Sequence, residues 1–138
     1  MKLIFLSQSF YSKYSGCKEI LTKNNRPYAC LKITVQGKDF AIPLRHNICH
    51  KYAFMTIGKC GLDYTKAVPI LDLSFIDTAI PTIDSAEFKA IKSKDREIER
   101  GMSKYIEVYK KARQHMESTF YQNIVKYSAL QYFDDEIK

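Results

Sequence analysis

Tyr28-Ala29-Cys30-Leu31-Lys32-Ile33-Thr34-Val35-Gln36-Gly37-Lys38-Asp39-Phe40-Ala41-Ile42-Pro43-Leu44 is the stretch on which the fold turns. Its first half is rich in β-branched and aromatic residues. Leu31, Ile33 and Val35 alternate with Lys32 and Thr34, the period of a strand with one buried face. Gln36-Gly37-Lys38-Asp39 supplies a glycine for a tight turn. Phe40-Ala41-Ile42-Pro43-Leu44 returns as the second strand. Pro43 has no N–H, which predicts that this strand ends or lies on an edge there. The segment 45–51 then leaves the end of a hairpin, and loops launched from a rigid sheet are favoured places for chemistry.

Working outward, residues 3–6 read as a first strand. Residues 7–15 fit a short helical turn with Ser7 as N-cap and Phe10, Tyr11 and Tyr14 near one face; Gly16 breaks it. Residues 52–56 and 67–71 read as further strands, and 73–76 extend or follow the second. Gly58, Gly61 and Asp63 mark the connection between them. After Pro81 the pattern changes. Asp84 as N-cap with Glu87 at the third helical position predicts a helix start. The longest helix is expected over 94–114, where Ile98, Met102, Tyr105, Ile106 and Tyr109 form one stripe. Met116, Phe120 and Ile124 continue an apolar spacing of four, and the tail Asp134-Asp135-Glu136 is expected to fray. Strands followed by helices predict one α+β domain over residues 1–138: a small twisted antiparallel sheet or partial barrel, packed helices and a long C-terminal helical region.

A hydrophobic fraction of 46% with 27% charged residues excludes a disordered chain. The charge is unevenly spread. Residues 1–71 carry eleven Lys/Arg and three Asp/Glu, a net of +8; residues 72–138 carry eleven and twelve, a net of −1. A basic excess confined to one half points to a polyanion such as nucleic acid, or to an anionic membrane surface. The plain alternative is a solvated basic protein. Cysteines stand at 17, 30, 49 and 60 without a Cys-x-x-Cys pair. The apolar run Leu3-Ile4-Phe5-Leu6 is too short for an export signal, and no stretch approaches the ~20 apolar residues of a membrane helix. Reduced thiols in a cytoplasmic protein, with no membrane association, are the expectation.

Arg45-His46-Asn47-Ile48-Cys49-His50-Lys51 packs two His, an Arg, a Lys and an Asn into seven residues. Metal-free RNA cleavage needs a base for the 2′-hydroxyl, a cation for the crowded phosphorus and an acid for the leaving oxygen. Histidine serves as base or acid near neutrality. Arg and Lys serve as the cation. The competing reading of His46 and His50 is a pair of surface or capping histidines. A metal reading also exists, with His46, Cys49 and His50 on one helix face, but no fourth ligand with zinc-like spacing follows. No cofactor is expected: the chain has no Gly-rich phosphate loop, Ser-based triad motif or dinucleotide fingerprint.

A second group is Arg26-Pro27-Tyr28 with Lys32. Arg26 suits a phosphate and Tyr28 a base, the pairing used on single-stranded RNA; alternatively Tyr28 packs in the core and Arg26 is solvated. Tyr11, Lys13 and Tyr14 repeat the aromatic–basic theme, as do Tyr64 and Lys66, and Asn47 lies among the basic residues of the first group. Tyr105 and Tyr109 read as core. Lys104, Lys110, Lys111 and Arg113 read as a solvated helix face.

At these residues the chain resembles the ToxN/AbiQ family of type III toxin–antitoxin toxins, nearest to its shorter CptN or TenpN branches. The likeness rests on the basic residue and proline before a strand, on the hairpin 31–44, and on Gly61-Leu62-Asp63-Tyr64-Thr65-Lys66-Ala67-Val68-Pro69-Ile70; it covers most of 10–113. It implies a sequence-specific endoribonuclease with a partly barrelled sheet like that of Kid and MazF, acting in phage resistance. It also implies inhibition by an antitoxin RNA, a pseudoknot repeat cut by the toxin from its own precursor, with toxin and RNA alternating in a closed assembly. Cellular RNAs would be the substrates. The family's basic catalytic-site residue falls on Arg26, and its N-terminal Tyr on Tyr11 or Tyr14. The segment after the hairpin's Pro-Leu falls on Arg45 and His46. ToxN carries a Thr-Ser-Pro-Lys core there; this chain has Arg45-His46-Asn47-Ile48, so the serine has no direct heir.

Two functions follow as expectations. In the first, the protein cuts single-stranded RNA by 2′-hydroxyl attack, leaving a 2′,3′-cyclic phosphate and a 5′-hydroxyl. Arg45 and Arg26 stabilise the phosphorane, His46 moves a proton and Lys51 or His50 assists. Tyr11, Tyr14, Tyr28, Lys32, Asn47, Tyr64 and Lys66 hold the RNA. In the second, the same residues bind single-stranded RNA without turnover. A protein–protein regulator is a third.

Overall fold

The computed structural model describes residues 2–23 and 26–138. Its strands are β1 (Lys2–Ile4), β2 (Thr22–Lys23), β3 (Arg26–Pro27), β4 (Cys30–Val35), β5 (Lys38–Arg45), β6 (Ala53–Met55), β7 (Gly61–Asp63) and β8 (Val68–Pro69). Its α-helices are α1 (Gln8–Lys13), α2 (Ser85–Ile91), α3 (Asp95–Arg113) and α4 (Thr119–Lys126). The fold is α+β, as the alternation of strand and helix periods predicts. No described helix is long and apolar enough to cross a membrane.

The hairpin β4–β5 forms the centre. Its turn residues Gln36 and Gly37 have φ of 53° and 76°, the left-handed pair that a type I′ hairpin turn demands. Antiparallel pairing runs from Val35↔Lys38 to Cys30↔Pro43. β1 extends the sheet beyond β4, while β7 and then β6 extend it beyond β5; β8 also pairs with β5. β2 and β3 form a separate two-stranded ladder that carries Arg26.

Pro43 departs from expectation. It lies inside the central strand, which continues to Arg45. The Leu44 N–H donates to the Ala29 carbonyl at 2.9 Å, so odd-numbered residues of β5 turn their backbone groups to the other flank. On that flank β8 pairs with Phe40 and Ala41, and β7 pairs with Leu44 and Arg45. Pro43 falls between the two partners, where the ladder asks for no donor.

Both faces of the sheet are covered. Leu31, Ile33, Val35, Phe40 and Ile42 pack with the buried stripe of α3. On the opposite face Ile4, Cys30, Ala41 and Val68 meet Phe10, Phe75 and Phe133. A fully buried strand residue such as Leu31 contributes about 1.5–3 kcal/mol. The caps act as predicted: the Ser7 hydroxyl accepts from Phe10 N–H and the Asp84 carboxylate from Ala86 N–H. Residues 73–76 depart from strand, with a 3₁₀ turn over Leu73–Phe75.

The C-terminal tail is held rather than frayed. Asp134 accepts from Tyr109 Oη at 2.6 Å and pairs with Arg113 at 2.5 Å. Ile137 is buried, and Lys38 donates to the Glu136 carbonyl. Asp134 reads as solvated only because its partners Tyr109 and Arg113 lie twenty or more residues away in α3; Asp135 is exposed and pairs with Lys138.

Gly101 gives a test of the α3 packing. A Cβ there would lie 2.8 Å from Tyr64 Cζ, and the Tyr64 hydroxyl donates to the Ile98 carbonyl at 3.0 Å. Helix propensity favours alanine by about 1 kcal/mol; overpacking a buried ring costs about 1–3 kcal/mol. Gly101→Ala is therefore expected to lower the urea midpoint, against the propensity trend. A second expectation concerns alkali. Burial pushes the Cys30 thiol from 9.0 to about 12 and the Tyr64 phenol from 10.0 to about 12. Both groups are held neutral by folding, so their contribution is complete below pH 9 and is lost as pH rises towards 12. Thermal melts across pH 8–11 should therefore decline before lysine or arginine titration explains a loss.

Candidate functional site

Two clefts open at the end of β5. Arg45 is the last residue of β5, and His46 begins the bend that follows it. Arg45 lines one cleft with His50, Tyr52, Lys66 and Tyr105. His46 lines the other with Arg26, Tyr28, Leu44 and Glu87.

The first cleft, of about 460 Å³, is organised by Asp63. This carboxylate is fully buried. Arg45 Nη1 lies 2.6 Å from Oδ2. Thr65 donates to Oδ1 twice, through its N–H at 3.0 Å and its hydroxyl at 2.6 Å. His50 Nε2 stands 3.2 Å from the same oxygen. The other ring nitrogen of His50, Nδ1, accepts from Tyr52 N–H at 3.1 Å, which puts the ring proton on Nε2, facing Asp63. His50 thus ties the 46–52 loop to Asp63, and both its nitrogens are engaged. Arg45 is the opposite case. Only its Nη1 has a side-chain partner among the described residues, so most of its five donors are open to an anion.

The second cleft, of about 330 Å³, gathers residues distant in sequence. Arg26 comes from β3 and is exposed, with no carboxylate partner among the described residues. Tyr28 follows it on the way into β4. His46 Nδ1 lies 2.9 Å from Cys60 Sγ. Cys60 is held there by the turn in which its N–H donates to the Ile57 carbonyl and its own carbonyl accepts from Thr56 N–H. Glu87, in the first turn of α2, accepts from the Thr56 hydroxyl at 3.2 Å. The cleft therefore holds an imidazole, a carboxylate, a guanidinium and a phenol.

The remaining expected residues divide. Asn47 is exposed with φ of 57°, a left-handed position that asparagine tolerates. Lys51 is exposed, its Nζ 5.5 Å from the Tyr52 ring centre. Tyr64 is 4% exposed and packed in the core, so it stacks on α3 rather than on a base. Lys66 donates to Glu19 at 2.5 Å and to the Tyr127 carbonyl at 2.7 Å, so its charge is already met. Lys32 faces Asp39 at 3.9 Å. Tyr14 packs against Phe10, Phe75 and Phe133. Tyr11 and Tyr14 line a separate hollow near Gly16, and Pro27 borders both this hollow and the His46 cleft. The helix needed for the metal reading is absent: 46–52 is irregular, and no group of three His, Cys, Asp or Glu among the described residues could hold a metal.

Sequence reasoning missed Asp63 and Glu87 as site residues. Asp63 carried a signal, because it stands in the segment 61–70 that resembles a family motif. Glu87 carried none beyond its helix-start role, since only the fold brings α2 beside His46.

An α+β protein with two clefts at one strand end, one lined by Arg45 and Lys66 and the other by Arg26, His46 and Glu87, is the class that the fold and geometry define. No family model, no curated protein and no solved structure matches the chain.

Arg45→Met tests the Asp63 arrangement. It leaves a buried carboxylate without its cation and is expected to cost about 3 kcal/mol, read from urea unfolding. Adding Asp63→Asn should restore part of that loss. A single variant as stable as the parent would mean that Asp63 does not depend on Arg45.

Proposed function

We propose that the protein is a metal-independent endoribonuclease that cuts single-stranded RNA through its 2′-hydroxyl. The observation that carries this reading is the convergence of His46, Glu87, Arg26 and Tyr28 on one cleft. A carboxylate or imidazole takes the 2′-hydroxyl proton, the resulting oxygen attacks the adjacent phosphorus, and the P–O5′ bond breaks. The second of the two groups protonates the departing 5′-oxygen. The products are a 2′,3′-cyclic phosphate and a 5′-hydroxyl. Arg26 offsets the charge that builds on the phosphoryl oxygens, and Tyr28 offers a surface for a neighbouring base. Arg45 supports the chain from the adjoining cleft, with its open donors directed to phosphate. The basic N-terminal half draws the RNA in.

The biological setting rests on the resemblance to ToxN/AbiQ toxins at 26–44 and 61–70. By that resemblance the enzyme is a cytoplasmic type III toxin that acts on cellular RNA and is neutralised by a pseudoknot antitoxin RNA in a closed assembly.

One observation favours the competing reading, a single-stranded RNA-binding module without turnover. Both proton-transfer candidates already hold protein partners: His46 meets Cys60 and Glu87 meets Thr56. Incubation of purified protein with RNA in EDTA separates the two. The enzyme reading expects cleavage with cyclic-phosphate ends, reduced about 10²–10⁴-fold by His46→Ala and strongly by Arg26→Ala. Full activity of His46→Ala removes that residue from the mechanism. RNA left intact beside tight, salt-sensitive binding leaves the module.

A further inference from the structure

We infer that the Arg45 cleft is a nucleotide-binding subsite in which α4 reads one unstacked base of a single-stranded RNA. The identity of the polymer rests on the function proposed above; the site itself rests on the following geometry. Phe120, Asn123, Ile124 and Tyr127 recur at helical spacing on one face of α4 and at its C-cap, and all four line the cleft. Phe120 is 61% and Tyr127 54% exposed. Single exposed aromatics are ordinary. Two on one helix face, flanking an amide over a cavity, are a surface built for a planar ligand. The volume, about 460 Å³, lies within the ~300–1,000 Å³ of small-ligand sites.

Charge selects the occupant. The cleft lining contains Arg45 and Lys66 and no Asp or Glu. Lys66 is satisfied by Glu19, but Arg45 keeps most of its donors. Two further lysines mark the rim, each against a cleft aromatic: Lys51 by Tyr52 at 5.5 Å and Lys126 by Tyr127 at 5.3 Å. Neither has an ion-pair partner among the described residues. Aromatic faces for a base, cations for the phosphates and an amide able to match a base edge are the parts of a single-stranded nucleic-acid site. An apolar peptide would leave Arg45 unmatched. A duplex keeps its bases stacked and has none to offer a cleft of this size.

Because Arg45 and His46 are consecutive, an RNA strand crossing the end of β5 has one nucleotide in the α4 cleft and the next linkage beside His46. The α4 cleft then sets which sequence is cut. Asn123, whose side-chain amide offers a donor and an acceptor in one plane to a base edge, carries the base preference.

The test uses the full chain and fluorescein-labelled eight-nucleotide 2′-O-methyl RNAs, which bind but have no free 2′-hydroxyl to attack; anisotropy reads affinity. Phe120→Ala/Tyr127→Ala, checked for an unchanged melting curve, should weaken binding about tenfold or more, the loss expected for a base stack. Phe120→Ala alone, at the more exposed position, should weaken it in the same direction if the double variant misfolds. Asn123→Ala should flatten the preference among the four homopolymers. Equal affinity of parent and double variant overturns the subsite. So does failure of the parent to bind the methylated strands while it cleaves unmodified RNA. Weakened binding in the variants with no cleavage by the parent keeps the subsite and removes the nuclease. Neither binding nor cleavage removes both.

Discussion

A carboxylate with no exposed surface must be neutralised where it sits, and the way Asp63 is neutralised determines the geometry of everything around the strand end. It draws Arg45 from β5, Thr65 from the turn after β7 and His50 from the loop between β5 and β6 onto its two oxygens. Desolvating an unpaired carboxylate would cost several kcal/mol, so these contacts are coupled: none can be given up while the charge stays buried. The result is a guanidinium fixed at one corner and open elsewhere. Preorganisation of this kind matters for anion recognition because the ordering of a long side chain is complete before the ligand arrives.

Charge distribution acquires a sharper meaning in this light. The basic half of the chain holds only three acids, and all three are internal partners: Glu19 with Lys66, Asp39 with Lys32 and Asp63 with Arg45. These three pairs account for three of the eleven cations of that half, and the remaining eight make up its net charge of +8. Arg26 and Lys51 face solvent beside the clefts, where Coulomb attraction to a polyanion acts at short range and survives screening best.

The fold was largely legible because its main elements follow local rules. Alternation at Leu31, Ile33 and Val35, the Gly37 turn, the α3 stripe and the caps at Ser7 and Asp84 all depend on neighbours within a few residues. What was misread depended on distant partners. Pro43 looked like a strand terminator because its tolerance comes from the gap between β7 and β8. The acidic tail looked free because Arg113 and Tyr109 are far away in sequence. At the site, Arg45, His46 and Arg26 were visible as residue types, whereas their division between two clefts was not: His46 lies in the bend after β5, where the strand period no longer applies. Tyr64 and Lys66 resembled an aromatic–basic pair, but burial and Glu19 had already claimed them.

The division of Arg45 and His46 between two clefts has a consequence for how a nucleic acid would lie on this protein. A sheet buried on both faces leaves no open face on which RNA could spread, as it does on sheet-surface binders. Only the strand ends and the surrounding loops are accessible, and the end of β5 is where cations, aromatics and titratable groups coincide. Two adjacent residues pointing apart oblige a ligand that uses both to straddle the strand end. A single-stranded, flexible backbone can do so, and a stiff duplex cannot follow that bend without unstacking. On the proposed function, single strands would be preferred without a separate recognition element. The burial of Asp63 aims Arg45 into one cleft, and the Cys60 thiol stands beside His46 in the other.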